Sequence, residues 1–166
     1  MISVDEKYMR MCFALAKKGY GKVAPNPMVG CVVLDRVGNL ISKGYHKKYG
    51  ENHAERDALL KLKNNEAEGG TLYVNLEPCS HFGKTPPCVD LIIKHKLKRV
   101  VIGMKDVNPK VDGITKLKNA GIEVDFVLEE EARFLNRMFI KTMTEKMPYV
   151  VCLLYTSPSP RDPKTS

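Results

Sequence analysis

The chain has 166 residues, 43% of them hydrophobic, a formal net charge of +8 and five cysteines. That length and composition supply one ordinary core, hence one domain; with no basic-then-apolar N-terminal segment and no run of eighteen apolar residues, they predict a cytoplasmic protein without a membrane span. Reduced cytosolic thiols argue against a disulfide framework and leave burial or metal ligation for the cysteines, while basic residues scattered without a run of five read first as a solvated surface and second as attraction for an anionic partner.

Apolar residues Tyr8, Met9, Cys12, Phe13, Leu15 and Ala16 recur at helical spacing and predict a first helix from Val4 to Tyr20, with Cys12 in the core. Ala24-Pro25-Asn26-Pro27 then leads into an apolar strand, Met28 to Leu34, with Cys31 inside it. The flanking prolines hold Asn26 extended, so its amide either points into a pocket or caps a turn. Asp35 to Asn39 reads as a hairpin turn and Leu40 to Tyr45 as the returning strand. A helix follows from His53 to about Leu62, putting His53 and Glu55 in its first turn. Thr71 to Leu76 is a strand that delivers Glu77-Pro78-Cys79, and Pro86-Pro87 announces a helix opening at Cys88, where free N–H groups favour a thiolate. Arg99 to Met104 is a fourth strand, Ile114 to Ala120 a helix stopped by Gly121, and Ile122 to Val127 a fifth strand. One long amphipathic helix, Glu129 to Lys146, is predicted to turn Ala132, Phe134, Leu135, Met138, Phe139 and Met143 inward. Strands alternating with helices predict an α/β fold, a three-layer α/β/α sandwich, and the opening hairpin makes its five-stranded sheet mixed.

Three residues of metal-ligating type fall at ends of these elements: His53 at a helix start, Cys79 after a strand, and Cys88 at the next helix start. One imidazole and two thiolates are three zinc ligands with a fourth position open, and a Glu two residues after the histidine is a proton carrier that need not touch the metal. That division of labour is the one used in zinc deaminases, although there the cysteines are two residues apart and here eight residues separate them. The chemistry so predicted is hydrolytic deamination of a heterocycle, with Glu55 as the acid–base residue. A closed structural zinc site with His81 as fourth ligand is the competing arrangement, and it leaves Glu55 without a purpose.

On Pro25-Asn26-Pro27-Met28-Val29-Gly30, Gly50-Glu51-Asn52-His53-Ala54-Glu55 and the whole loop from Glu77 to Cys88, the chain resembles the deaminase domain of the bifunctional riboflavin-biosynthesis pyrimidine deaminase/reductases, within the cytidine deaminase-like superfamily. The resemblance runs from the first helix to about Val150. It implies a zinc ion on His53, Cys79 and Cys88, one per chain, with Glu55 as proton shuttle. The substrate it implies is 2,5-diamino-6-ribosylamino-4(3H)-pyrimidinone 5′-phosphate, which loses its 2-amino group as ammonia. Asn26, His46, His81 and Lys84 match positions lining the substrate pocket, and Asp106 and Asn108 match a loop on the ribose side. Lys84 suits a phosphate as a point charge, simple loop solvation being the alternative for it and for His81. The loop from Asn108 to Ile114 departs from the family's form, being shorter and lacking a second glycine before the helix.

The same reading takes residues 1–146 as the deaminase domain and 147–151 as the truncated entry to an absent reductase domain, so that no NADPH is expected. Residues 152–166 resemble a reading frame of a sequencing-library adaptor and are expected to be an artefact outside the fold. A nucleic-acid base deaminase, suggested by the charge, is a rival function, but only Phe82 and Tyr49 in the site loops offer stacking surfaces, so no nucleic-acid partner is expected. A non-enzymatic zinc-stabilised module is the second rival, and homo-oligomerisation is left open.

Overall fold

The computed structural model describes residues 1–63, 65–83 and 85–145. The expectations for 147–151 and 152–166, and for Lys84, fall outside the described residues. Eleven elements follow one another among those residues: α1 (Val4–Lys17), β1 (Gly30–Leu34), β2 (Leu40–Tyr45), α2 (Ala54–Leu59), β3 (Thr71–Leu76), α3 (Cys88–Lys94), β4 (Arg99–Met104), α4 (Gly113–Asn119), β5 (Glu123–Phe126), α5 (Glu129–Leu135) and α6 (Arg137–Glu145). The strands form one mixed sheet in the order β2-β1-β3-β4-β5. β1 is antiparallel to both neighbours, whereas β3, β4 and β5 run parallel.

Local sequence explains how the elements begin and turn. Ser3 and Glu6 form a reciprocal cap at the start of α1, each side chain bonded to the other's backbone N–H at 3.1 Å, which is worth about 1 kcal/mol. Between β1 and β2 the Asp35 carboxylate accepts the N–H groups of Val37 and Asn39 at 3.0 and 2.9 Å, and Gly38 takes the positive φ the turn requires.

Two glycines show which helix lies on which face. A side chain at Gly30 would run into the backbone of α1 at Cys12 and Ala16, whereas one at Gly44 would run into Ala54 and Ala58 of α2. Gly44 pairs with Cys31, the residue after Gly30, and successive strand residues point to opposite faces, so α1 and α2 cover opposite sides of the sheet. Carrying the register across to β4 puts Gly103 on the α1 side, where a Cβ would meet Ala132 of α5. Helix α3 packs against α2, and α4 against α3, completing the other layer. The three-layer α/β/α arrangement is thus the one expected. Leu72, Val74, Val100 and Ile102 are fully buried between the layers, each side chain contributing about 1.5–3 kcal/mol. No helix among the described residues is long and apolar enough to cross a membrane.

The predicted final helix is corrected. It is two helices, α5 and α6, broken at Asn136, whose φ of −105° and ψ of 30° leave the helical range. Asn136 is 2% exposed, and its amide is held at 2.8 and 2.7 Å by the N–H and carbonyl of Met28, over a hundred residues earlier. That tertiary pairing outweighs continuation of the helix. Phe134, two residues from the buried Ala132 and so on the opposite side of α5, is 66% exposed rather than inward, and Met143 is 42% exposed.

Candidate active site

The reversed direction of β1 gathers the site. Gly30 pairs with Tyr45, and Cys31 with Val74, so the entry to β1 lies beside the exits of β2 and β3, and the parallel pairing Leu76 with Met104 adds the exit of β4. The segments before Gly30, after Tyr45, after Leu76 and after Met104 therefore meet at one end of the sheet. A cavity of about 570 Å³ opens there, within the range of small-molecule sites. Asn26, His46, His53 and Glu55 line it from one part of the chain, and Cys79, His81, Asp106 and Asn108 from another. A second cavity of about 340 Å³ near Tyr45 and Asp57 contains no member of the His/Cys/Cys group.

His53 caps α2, and its Nδ1 stands 3.7 Å from the Cys79 sulfur and 3.5 Å from that of Cys88. The three donor atoms lie within 4.8 Å of one another. Zn–S and Zn–N bonds of normal length at a tetrahedral angle put nitrogen and sulfur about 3.6 Å apart, so the donor set fits a single zinc ion in both chemistry and span. Burial is graded across it: His53 is exposed, Cys79 half-buried and Cys88 buried behind them. The Cys88 thiol, helped by the His53 ring and by the Cys88 backbone N–H at 3.2 Å, holds the Cys79 thiol down to about 4, and the same bond with burial pushes Cys88 up. His53 is raised by its hydrogen bond with Cys79.

Glu55, one residue into α2, is 4% exposed and turned to the cavity. Burial raises its carboxyl to about 7, against the opposing pull of His53, which is the range suited to taking and returning a proton near neutrality.

The remaining predicted residues divide by what they touch. His46 is buried; its Nδ1 bonds the Asn52 carbonyl at 2.9 Å, so that nitrogen carries the proton and Nε2 accepts from the Asn26 amide at 3.2 Å. Burial lowers the His46 pKa, in keeping with the neutral ring that this pairing needs. Asn26 both closes a turn, its N–H bonded to Val23 O at 2.8 Å, and faces the cavity, so the two readings of it hold together. His81 is exposed at the cavity rim. Asp106 is raised by burial, its carboxylate accepts the Asn108 N–H at 2.8 Å, and the Asn108 side chain accepts that of Lys110 at 3.0 Å.

Several residues that hold these loops escape a reading of motifs. Glu77, 3% exposed, accepts Asp106 N–H at 3.0 Å and Ile114 N–H at 3.2 Å, joining the exit of β3 to the exit of β4 and the start of α4. Ser80 accepts Asp112 N–H at 2.7 Å, and its carbonyl accepts Lys116 Nζ at 2.7 Å. Asn75 in β3 accepts Gly30 N–H at 2.8 Å and donates to Met28 O at 3.0 Å. The available signal was a polar residue at a strand end or inside an apolar strand, a position that burial forbids without partners.

A mixed sheet of this order, with a His/Cys/Cys group from the starts of two helices and the exit of a strand and an acid beside it, defines a zinc-binding deaminase class. Residues 2–104 match the family model of the cytidine and deoxycytidylate deaminase zinc-binding region, and the chain belongs to that family. It is 50% identical over 150 residues to riboflavin biosynthesis protein RibD of Aquifex aeolicus, a match covering 89% of this chain and 42% of that protein. It is 44% identical over 147 residues to the diaminohydroxyphosphoribosylamino-pyrimidine deaminase of Buchnera aphidicola, covering 87% of this chain and 99% of that one. A crystal structure of the Thermotoga maritima diaminohydroxyphosphoribosylaminopyrimidine deaminase/5-amino-6-(5-phosphoribosylamino)uracil reductase superposes with a TM-score of 0.83 at 49% identity, over 87% of this chain and 42% of the other. The chain thus spans less than half the length of the bifunctional proteins it matches and nearly all of the Buchnera protein.

Proposed function

We propose that this chain is a hydrolase that removes the 2-amino group of 2,5-diamino-6-ribosylamino-4(3H)-pyrimidinone 5′-phosphate, giving 5-amino-6-(5-phosphoribosylamino)uracil and ammonia in riboflavin biosynthesis. The observation that carries the reading is the group of His53, Cys79 and Cys88, within 4.8 Å of one another, with buried Glu55 on the same cavity. The kinship with the Buchnera deaminase, nearly all of whose length the match covers, supports the choice of substrate.

His53 Nδ1 and the two sulfurs would hold one zinc ion per chain, whose Lewis acidity makes water acidic enough to ionise near neutrality. Glu55 takes the proton from the attacking water and returns it to the ring nitrogen beside the amidine carbon. A second proton transfer to the departing amine lets the C–N bond break and the carbonyl form. Asn26, its amide braced by His46, and His81 would line the substrate pocket, Asp106 and Asn108 would approach the ribose, and Lys84 would serve the phosphate as a point charge. The reading assigns the chain a cytoplasmic setting, a phosphorylated small-molecule substrate, no nucleic-acid partner and no NADPH-dependent step.

Glu55→Gln tests the assignment. The variant is expected to keep one zinc per chain and to lose ammonia release by on the order of 10²–10⁴-fold. Activity retained in that variant would falsify the proton-shuttle role.

A further inference from the structure

Part of the cavity wall comes from two stretches distant in the chain. Pro25, Asn26 and Pro27 lead into β1, and Phe139 and Met143, four residues apart on one side of α6, form the other part. One buried side chain joins them. Asn136 accepts the Met28 N–H and donates to the Met28 carbonyl, as a paired β-strand residue would, two residues from Asn26 and three from Phe139. The Met28 carbonyl also receives Asn75, so the segment is fixed from β3 and from the α5–α6 break together. Because Asn136 ends α5, the same amide that grips Met28 sets where α6 starts and hence where Phe139 and Met143 stand.

We infer that Asn136 is a positioning residue for substrate recognition, which aligns the Asn26 segment with an apolar wall of Phe139 and Met143 that packs on the bound heterocycle. The inference rests on the deaminase reading proposed above. Asn136, Met28, Phe139 and Met143 lie outside the His/Cys/Cys group, and Asn26 reaches it only through the His46 ring, which the Asn52 carbonyl also holds, so substrate binding and metal-centred chemistry are expected to separate under mutation. Loss of the Asn136 pairing releases Met28, displaces Asn26 and frees α6 to tilt, which weakens binding of the substrate while leaving His53, Cys79, Cys88 and Glu55 in place.

The test uses the full zinc-loaded chain as wild type, Asn136→Leu, Asn136→Asp and Phe139→Ala. Ammonia release is followed against concentration of the diaminopyrimidine nucleotide, with zinc content and hydrogen exchange at the Met28 amide measured alongside. KM is expected to rise on the order of tenfold or more in all three variants, with kcat within about threefold and zinc content unchanged. Exchange at Met28 should quicken in Asn136→Leu, which removes the acceptor of the Met28 N–H, and not in Asn136→Asp, which keeps an acceptor and loses only the donor to the Met28 carbonyl, nor in Phe139→Ala. An unchanged KM, or a joint fall of kcat and zinc content, overturns the inference. If the Asn136 variants do not fold, Phe139→Ala, on a partly exposed helix, decides by the same split. A wild-type chain that releases no ammonia refutes the underlying function instead, which an active wild type with unmoved KM in the variants does not.

Discussion

Near the end of the sheet where β3, β4 and β5 begin, charged side chains satisfy one another. Arg99 donates to both oxygens of Asp5 at 2.9 and 2.8 Å and to Asp125 at 2.7 Å, while the Tyr73 hydroxyl donates to Asp5 at 2.7 Å. At the opposite end polar side chains hold backbone instead: Glu77, Ser80, Asn75 and Asn136 each bond N–H or carbonyl groups of neighbouring loops. The first arrangement ties α1 to β3, β4 and β5 and closes on itself. The second fixes loop positions and leaves His53, Glu55 and His81 turned to a cavity. Stability and activity are therefore expected to fail separately when the two ends are damaged.

Breaking the site end gives the largest effect. Cys88→Ala removes one of three donors, and zinc content and ammonia release should both fall to background, with the unfolding midpoint of the chain moving little by comparison. Chelation of wild type should reproduce the loss. A chelated chain that unfolds outright would instead favour the zinc-stabilised module and erase the distinction between the ends. Gly113→Ala probes the join between loops, because a Cβ there would overlap the Pro78 carbonyl, one residue before Cys79. Overpacking at that point should cost about 1–3 kcal/mol of stability and lower activity as well.

Breaking the other end should leave turnover per folded molecule intact. Arg99→Met strands Asp5, half-buried beside Tyr73, and should cost about 1–3 kcal/mol by denaturant unfolding, with KM and kcat unchanged. The smallest effect is on pH. Arg99, then Tyr73, hold the Asp5 carboxyl below its usual value despite burial. The stability so contributed is fully present above the unfolded-state value near pH 4 and is lost as pH falls through the lowered folded-state value. After solvent screening it amounts to less than about 1 kcal/mol. Asp5→Asn should remove that acid-side slope, which unfolding curves between about pH 2 and pH 5 would show.

Much of this molecule is legible in local pattern. Short apolar runs place the central strands, which are buried on both faces, and period-3.6 spacing places most helices, in each case to within a few residues. The ligand-type residues could be read because they fall where loops meet helix starts, at His53 and Cys88, and at a strand exit, Cys79. What could not be read depends on distant partners. Asn136 sits in an apolar rhythm that runs through it without a stop signal, and only its bonds to the Met28 backbone reveal why the helix ends there. Phe134 follows the same rhythm yet faces solvent, because Ala132, two residues earlier and about 200° around the helix, takes the buried side of α5. The buried carboxylate of Glu77 likewise acquires meaning only once β4 lies beside β3.

The reversal of β1 has a consequence for how such a protein changes over generations. It sets Pro25, Asn26, Pro27 and Val29 on the cavity, beside Phe139 and Met143 of α6, whereas the His/Cys/Cys group comes from the starts of α2 and α3 and the exit of β3. On the proposed function, drift in the wall would alter which heterocycle is accepted while the hydrolytic chemistry stays fixed, so a new preference would not require a new catalyst.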